Sequence, residues 1–556
     1  MLNNNKKFFR LPLLVLASVC LLATGCNKQP QPSSSKEPEY NIVRPEYTPD
    51  YDNFGVNEKP SGVNMTYYTD VYSRGFSWLT DENTEGTELY LVQSDKGEQA
   101  DFSGAQVVIG ASMLCTYDKS GNITAEGLAA AKGSGNTGEV KVMSHKVHVE
   151  NLEKGRAYSY KIGSASGYYY GAFVVEQEKA KSITAIHMSD AQTKDLSLQY
   201  VWRNTAAKAV ETAGKGLDFI IHNGDQFDQN NSSGNDKEPF RLFRYSKAID
   251  DIQDYKFNVS YMTSSGNHEP SSPYSHYLMS DINYAGYDYK GAYYSYDYDY
   301  AHFVVLNTNT INDEQINWLK SDLDKAANAK WKVVTMHISP YSTGDHSNKD
   351  ENQKIVEKLT PVFSEKHVDL VLQAHDHTYN KTLPYKWDAA GYYTEDEKIS
   401  EAVNVNPEKE TVENVQYDKN PNGTYYVTTG AAGHRCGSVE SDGIWAEVVK
   451  DGDQIKGLNP SKTFTTNKYK NAVGTLTQAN QYESYKISSY TSAQDYKVGD
   501  PATGNVNACM FGILNITETT LSYHVYTTNE KKTVDSKVNY DLESVKLFDT
   551  LDILKA

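Results

Sequence analysis

Five short apolar runs in this chain end in the same kind of residue cluster, and that repetition most restricts what it can fold into. Ile183–His187 leads into Ser189-Asp190-Ala191-Gln192, and Leu217–Ile221 into His222-Asn223-Gly224-Asp225-Gln226-Phe227-Asp228. Val259–Thr263 leads into Gly266-Asn267-His268-Glu269, Lys332–Thr335 into Met336-His337-Ile338-Ser339-Pro340, and Val368–Leu372 into Gln373-Ala374-His375-Asp376-His377. Short apolar runs of this kind are buried strands. Helical spacing lies between some of them. Val201, Ala206, Ala209 and Val210 mark Leu198–Ala213, which Gly214 ends. Ile316, Leu319 and Leu323 share one face of Asp313–Ala329, with Asn312 as N-cap. Strands alternating with helices predict an α/β layered domain, and in such sheets the carboxyl ends of the strands meet at one rim, where ligands bind. A single Asp after a strand is an ordinary turn or cap residue. Five endings rich in carboxylate, amide and imidazole are harder to explain that way, because an interior accepts such groups only when they are paired or hold a metal.

The donor types narrow the ion. Asp, Asn and His without Cys suit iron, zinc, manganese or magnesium. There are more donors than one ion needs, and a carboxylate such as Asp225 can bridge two ions about 3.5–4 Å apart, a spacing that clamps a phosphoryl oxygen and activates water. The chain carries 54 Lys+Arg against 72 Asp+Glu, a net charge of −18. That excludes a binder of nucleic acid or anionic membrane acting through bulk charge, and no nucleic-acid-binding patch is expected. An anionic substrate therefore has to be attracted locally, by a cation.

At 556 residues the chain is long enough for several domains. Residues 1–25 read as a signal peptide, with Lys6, Lys7 and Arg10 before a short apolar stretch, Leu11–Ala23. The stretch ends in Leu22-Ala23-Thr24-Gly25-Cys26, which resembles a bacterial lipobox, so Cys26 is the expected lipidation site and the mature protein an extracytoplasmic, membrane-anchored lipoprotein. Residues 26–60 hold six of the 17 prolines and no sustained apolar period, and read as a disordered tether. From 61 to 178 the pattern is alternation and turn, as in His145–Val149, Leu152–Gly155 and Ala157–Gly163, which predicts a β-sandwich. The polar stretches near 385–422 and 434–505 read as insertions. Phe511–Ile516 and Thr520–Tyr526 return to strand. Cys115, Cys436 and Cys509 remain after processing, an odd number, with Cys436–Cys509 the pairing suggested.

Taken in order, Asp190, Gly224-Asp225, Gly266-Asn267-His268-Glu269, His337 and His375-Asp376-His377 resemble the blocks of the calcineurin-like metallophosphoesterase superfamily, and within it bacterial purple-acid-phosphatase-like proteins. Tyr293–Tyr296, His302–Thr308 and Leu547–Lys555 also look like segments of that family, so the likeness covers most of residues 60–556. The resemblance implies a layered α/β/β/α domain over 179–556, preceded over 61–178 by a fibronectin-III-like β-sandwich. It implies two divalent or trivalent ions (Fe, Zn or Mn), one held by Asp190, Asp225 and His377 and one by Asp225, Asn267, His337 and His375. It further implies in-line attack of hydroxide on phosphorus, with His268 and His346 contacting the phosphate and His268 helping to protonate the leaving group. The sequence departs from the pattern in three places. Gln192 stands where His or Gly is usual, Asp228 where the purple enzymes place a tyrosine ligand, and Ala374 where Gly is usual. Gln192 and Asp228 are either metal ligands or supports of ligands.

The expected activity is hydrolysis of phosphate monoesters, acid-phosphatase-like, outside the cytoplasm. A phosphodiesterase or nucleotidase would use the same metals. A surface binding lipoprotein with a degenerate metal site is a further reading, opposed by the presence of Asp190, Asp225, Asn267, His337, His375 and His377 together.

Overall fold

The computed structural model describes residues 58–84, 86–116, 141–164, 167–177, 182–192, 199–226, 259–269, 280–288, 291–341, 350–377, 379–382, 384, 386, 407–435, 445–451, 454–464, 508–534 and 537–556. Cys26, Asp228, His346 and Cys436 fall outside them, as do the signal peptide, nearly all of the tether and much of both insertions.

The first eight strands are β1 (Ser61–Thr66), β2 (Arg74–Asp81), β3 (Glu88–Gln93), β4 (Gln106–Ile109), β5 (Ala111–Thr116), β6 (Lys141–Val149), β7 (Ala157–Ser164) and β8 (Gly167–Val174). They form two four-stranded sheets, ordered β1-β2-β6-β5 and β4-β3-β7-β8. One apolar cluster draws on both, with Val63, Phe76, Trp78 and Val147 from the first and Leu89, Tyr160, Ile162 and Phe173 from the second.

The remaining chain builds two larger sheets. An eight-stranded sheet, ordered β11-β10-β9-β23-β24-β25-β19-β18, uses β9 (Ile183–Met188), β10 (Phe219–His222), β11 (Ser260–Thr263), β18 (Glu408–Val412), β19 (Val415–Lys419), β23 (Cys509–Ile516), β24 (Thr520–Val534) and β25 (Lys537–Leu554). A seven-stranded sheet, ordered β12-β13-β14-β15-β16-β20-β17, uses β12 (Gly286–Asp288), β13 (Gly291–Tyr298), β14 (Ala301–Val305), β15 (Trp331–Ile338), β16 (Leu370–Ala374), β17 (Tyr379–Lys381) and β20 (Tyr425–Thr429). A separate hairpin pairs β21 (Trp445–Asp451) with β22 (Gln454–Phe464).

Strand alternation explains the layering, because successive side chains point to opposite faces. In β9, Ile183 and Ala185 enter a core shared with Phe303, Val333 and Leu372 of the other sheet. Ile186 and Met188 point the other way, onto Trp202, Ala206 and Ala209 of α1 (Gln199–Ala213). On the far face of the seven-stranded sheet, Val304, Val334 and Val371 meet α2 (Asp313–Lys325), α3 (Asp350–Lys358) and α4 (Thr360–Glu365). The order is therefore helix, sheet, sheet, helix. Asn312 caps α2 as expected, its side chain accepting from the Gln315 amide at 2.9 Å. The helix stops at Lys325 rather than Ala329. The first insertion is not wholly irregular, since β18 and β19 form a hairpin within it and continue the eight-stranded sheet beside β25.

One buried imidazole gives a pH-dependent expectation. His302 Nδ1 lies 2.7 Å from Asp297 Oδ1 and its Nε2 lies 3.0 Å from Asp322 Oδ2. Burial alone would lower its pKa, but the hydrogen bonds to the two carboxylates outweigh that and raise it to about 9. A raised pKa means that the stabilisation is complete below the unfolded value of about 6.5 and is lost as pH rises through about 9. Asp297 is 74% exposed, so screening limits the effect to about 1 kcal/mol. His302→Gln should lower Tm clearly at pH 6 and much less at pH 10. An equal loss at both pH values would contradict the assignment.

Candidate metal centre

The site lies where the two large sheets meet, because both point the carboxyl ends of their parallel strands to the same place. Met188, His222 and Thr263 are in register at the ends of β9, β10 and β11, and Ile338 pairs with Ala374 at the ends of β15 and β16. The first group delivers Asp190, Asp225 and Asn267. The second delivers His337, His375 and His377. Asn223 joins the two halves, its Nδ2 donating to the Leu372 carbonyl at 2.8 Å and its own carbonyl accepting from His337 Nδ1 at 2.6 Å.

That last bond fixes the chemistry of His337. With Nδ1–H committed to a carbonyl, a neutral ring presents a bare lone pair at Nε2. Yet Nε2 faces two oxygens, Asn267 Oδ1 at 2.9 Å and Asp225 Oδ1 at 3.3 Å. Lone pair against oxygen is repulsive unless a cation lies between, either a proton or a metal. Without a metal the proton takes that place. Burial disfavours the imidazolium, but the Asp225 carboxylate overrides this and raises His337 to about 10. Burial likewise pushes Asp225 up, and His337 more than reverses that, holding it well below the ordinary carboxylate range. A metal taking the proton's place would release it, so uptake should strengthen as pH rises.

The donor spacings fit an ion. Two donors bound to one ion at about 2.1 Å stand about 3.0–3.4 Å apart. His375 Nδ1 is 2.9 Å from Asn267 Oδ1, and ligand atoms of Asp225, His337 and His375, all three buried, lie within 4.8 Å of one another. A second pair stands beside this cluster, with His377 Nε2 3.5 Å from Asp190 Oδ1. Asp190 Oδ1 is fully buried and makes no hydrogen bond. Burial would raise the Asp190 pKa, but His377 outweighs this and lowers it, and His377 is raised in turn despite its burial.

Gln192 does not take an independent position. Its Nε2 donates to Asp225 Oδ2 at 3.0 Å, so it orients that carboxylate, while its buried Oε1 has no hydrogen-bond partner. His268 is half-buried; its amide donates to Asp225 Oδ1 at 2.8 Å and its Nε2 lies 3.7 Å from Asp225 Oδ2. The position that departs from the usual Gly, Ala374, needs no positive φ; the left-handed residue is its neighbour His375, at φ 73°. Asp190, Gln192 and Asp225 are left-handed too, at 50°, 38° and 51°. Such backbone costs of order 1 kcal/mol or more per residue and persists where surrounding structure enforces it.

Glu269 stands in the Gly266-Asn267-His268-Glu269 block, where the sequence pattern assigns it no role. Its carboxylate accepts from the amides of Asp225 and Gln226, each at 2.9 Å, and from that of Gly266. It therefore ties the Asp225 loop to the Asn267 loop, and burial together with the Asp225 charge raises its pKa to about 7. Two glycines allow the loops to approach so closely. A Cβ on Gly224 would stand 2.4 Å from the Gly266 amide, and one on Gly266 would stand 2.1 Å from Asp225 Oδ1. Asn309 was also missed; its Nδ2 donates to the Gly266 carbonyl at 3.0 Å. Cys509 is buried with its sulfur donating to the Gly433 carbonyl at 3.3 Å, and its suggested partner Cys436 lies outside the described residues.

The family described as Calcineurin-like phosphoesterase matches residues 183–379. Acid phosphatase type 7 of Mus musculus is 25% identical over 290 residues, covering 47% of this chain and 61% of that protein. Acid phosphatase type 7 of Homo sapiens is 26% identical over 274 residues, covering 44% and 58%. The chain thus spans about three fifths of the length of these relatives. Among solved structures, a purple acid phosphatase from yellow lupin (Lupinus luteus) seeds aligns with a TM-score of 0.52 at 13% identity, over 90% of this chain and 75% of that one, a likeness of fold.

Proposed function

We propose, from the premise that this chain is a member of the calcineurin-like metallophosphoesterase superfamily, that it is a metal-dependent hydrolase of phosphate monoesters acting at two ions. The observation that carries the reading is the His337 Nε2 lone pair aimed at two oxygens beside the buried donors Asp225 and His375. One ion would be held by Asp190, Asp225 and His377, the other by Asp225, Asn267, His337 and His375, with iron, zinc or manganese suited to this donor set. When bound, the ions supply Lewis-acid charge that polarises a phosphoryl oxygen and lowers the pKa of water. The chain's own groups do the rest. Gln192 and Glu269 hold Asp225 and its loop in place, and Asn223 fixes the His337 tautomer. His268, half-buried at the rim, carries a proton to the leaving oxygen. His346 contributes to phosphate binding, and Asp228 supports the first ion in place of a phenolate.

The same proposal extends to the rest of the chain. The two four-stranded sheets that share one core are read as a fibronectin-III-like sandwich over 61–178, and the catalytic domain as 179–556. Residues 1–25 are a signal peptide and 26–60 a tether, with Cys26 lipidated outside the cytoplasm. Among the described residues no helix is long and apolar enough to cross a membrane.

Metal analysis with a panel of aryl phosphate monoesters and diesters tests the reading. Two equivalents of metal and faster monoester turnover are expected. Faster diester turnover would favour a phosphodiesterase, and bound metal without either activity would favour a binding lipoprotein. Cys26→Ser should move the protein from the membrane fraction to the soluble one; a mutant that still pellets after signal cleavage would rule out the anchor.

A further inference from the structure

A cavity of about 320 Å³ opens directly beside the metal centre, bounded at one end by Asn267 and by Glu269, whose carboxylate is already taken up by the amides of Asp225, Gln226 and Gly266, and elsewhere by Thr308, Ile311, Ile338, Glu351 and Lys354. Its size suits a small ligand. Because Asn267 is one of the donors assigned above, a group filling the cavity would lie next to a phosphoryl group at the metals, where a leaving group belongs. We propose that this subsite takes small zwitterionic alcohols, so that the substrates are phosphomonoesters of the amino-acid type, bearing one ammonium and one carboxylate. The inference rests on the monoesterase reading and adds the substrate class.

Two features of the lining select that class. The first is what it offers a flat ring. None of the described lining residues is aromatic, so none of them offers a nucleobase or an aryl group a stacking partner. The second is charge. α3 presents Glu351 and Lys354, three residues apart and so neighbours on one helix face, to the same cavity. A carboxylate and an ammonium one turn apart complement a ligand with the opposite pair. A ligand with only one charge would meet an attractive and a repulsive group together. Ile311 and Ile338 cover the carbon chain between ester oxygen and zwitterion, and Thr308 is held at the rim by the Ile338 amide, which donates to its Oγ1 at 3.0 Å. Glu351 also stands 3.6 Å from His375 Nε2, so the recognition element touches the metal ligand set.

The test uses metal-loaded protein and four substrates: O-phospho-L-serine, phosphoethanolamine (no carboxylate), 3-phosphooxypropanoate (no ammonium) and p-nitrophenyl phosphate as reference. Wild-type kcat/KM relative to the reference should be highest for phosphoserine. Lys354→Met should lower the relative value for the two carboxylate-bearing substrates about three- to fivefold, the range for a solvent-exposed ion pair. Glu351→Gln should do the same for the two ammonium-bearing ones. Metal content is measured on each variant, so that loss of an ion is told apart from loss of recognition. Ratios that do not move with either charge, or a wild type that prefers the singly charged esters, would overturn the subsite. Calorimetric titration with L-serine, the product alcohol, decides the cavity without turnover. Weakened binding in both variants supports it even if no monoester is hydrolysed, an outcome that would sink the monoesterase reading alone. Absence of serine binding beside active p-nitrophenyl phosphate hydrolysis would sink the subsite alone.

Discussion

Asp225→Asn is expected to leave the protein folded and to lower kcat by at least about 10³-fold, more than removal of a single transition-state hydrogen bond usually costs. The backbone argument favours folding. Asp225 sits at φ 51°, a region in which Asn is among the best tolerated residues after Gly. The side-chain argument opposes function. Oδ1 accepts from the His268 amide at 2.8 Å and faces His337 Nε2, while Oδ2 accepts from Gln192 Nε2 at 3.0 Å. Both positions therefore require an acceptor. An amide supplies one acceptor and one donor, so its N–H either meets the His268 amide or forces the Gln192 amide to turn over, and the negative charge offered to the proposed ions is gone. Metal stoichiometry, kcat and circular dichroism on one preparation check the expectation. Wild-type kcat with both ions retained would disprove a dinuclear site bridged by Asp225.

The parts of this site that could be read from the sequence are those carried by local chemistry. A buried strand running into Asp, Asn or His announces both its own position and its ending, and Asp190, Asp225, Asn267, His337, His375 and His377 do converge. The strand Ile183–His187 was likewise visible as an apolar run, and the opposite facing of Ile183 and Ala185 against Ile186 and Met188 becomes the division between inner and outer layers. What was not visible depends on pairing across long separations. β23 lies between β9 and β24, with Gly512 opposite His187, and no local pattern says that residues so far apart in the chain are neighbours. The hairpin of β18 and β19 was obscured because its strands are mostly exposed and polar, which removes the apolar period that marks a strand. Supporting residues are hidden for another reason. Glu269, Asn223 and Asn309 act through backbone amides and carbonyls, which every residue has, so no residue type at the other end announces the contact. The left-handed backbone of Asp190, Gln192, Asp225 and His375 leaves no compositional mark beyond a tolerance for Asp.

Arg74→Met is expected to destabilise the protein by about 3–5 kcal/mol while leaving turnover of the folded fraction intact, since breaking a buried ion pair abandons the surviving charge. Arg74 is only 1% exposed. Its Nη2 lies 2.6 Å from Glu176 Oε2, and its Nη1 donates to the carbonyls of Val71 and Ser73 at 2.8 and 2.9 Å. The other Glu176 oxygen accepts from Tyr67 at 2.6 Å, and the guanidinium lies over the rings of Tyr67 and Phe173. Phe173 belongs to the core of the two N-terminal sheets, whereas Tyr67 packs in the core between the two large sheets, against Phe219 at the start of β10. The ion pair therefore stands at the junction of the two regions, with β10 leading from it to the Asp225 loop. Methionine fills part of the volume but answers neither Glu176 nor the carbonyls. Replacing both partners, as Arg74→Met with Glu176→Leu, removes the stranded carboxylate and should recover much of the loss, because apolar substitutes for a buried pair are often neutral or better. Urea unfolding of the single and double variants measures both terms. Loss of kcat in fully folded Arg74→Met would mean that the junction shapes the metal centre directly; a single-variant cost below about 1 kcal/mol would mean that the pair is solvated like an ordinary surface ion pair.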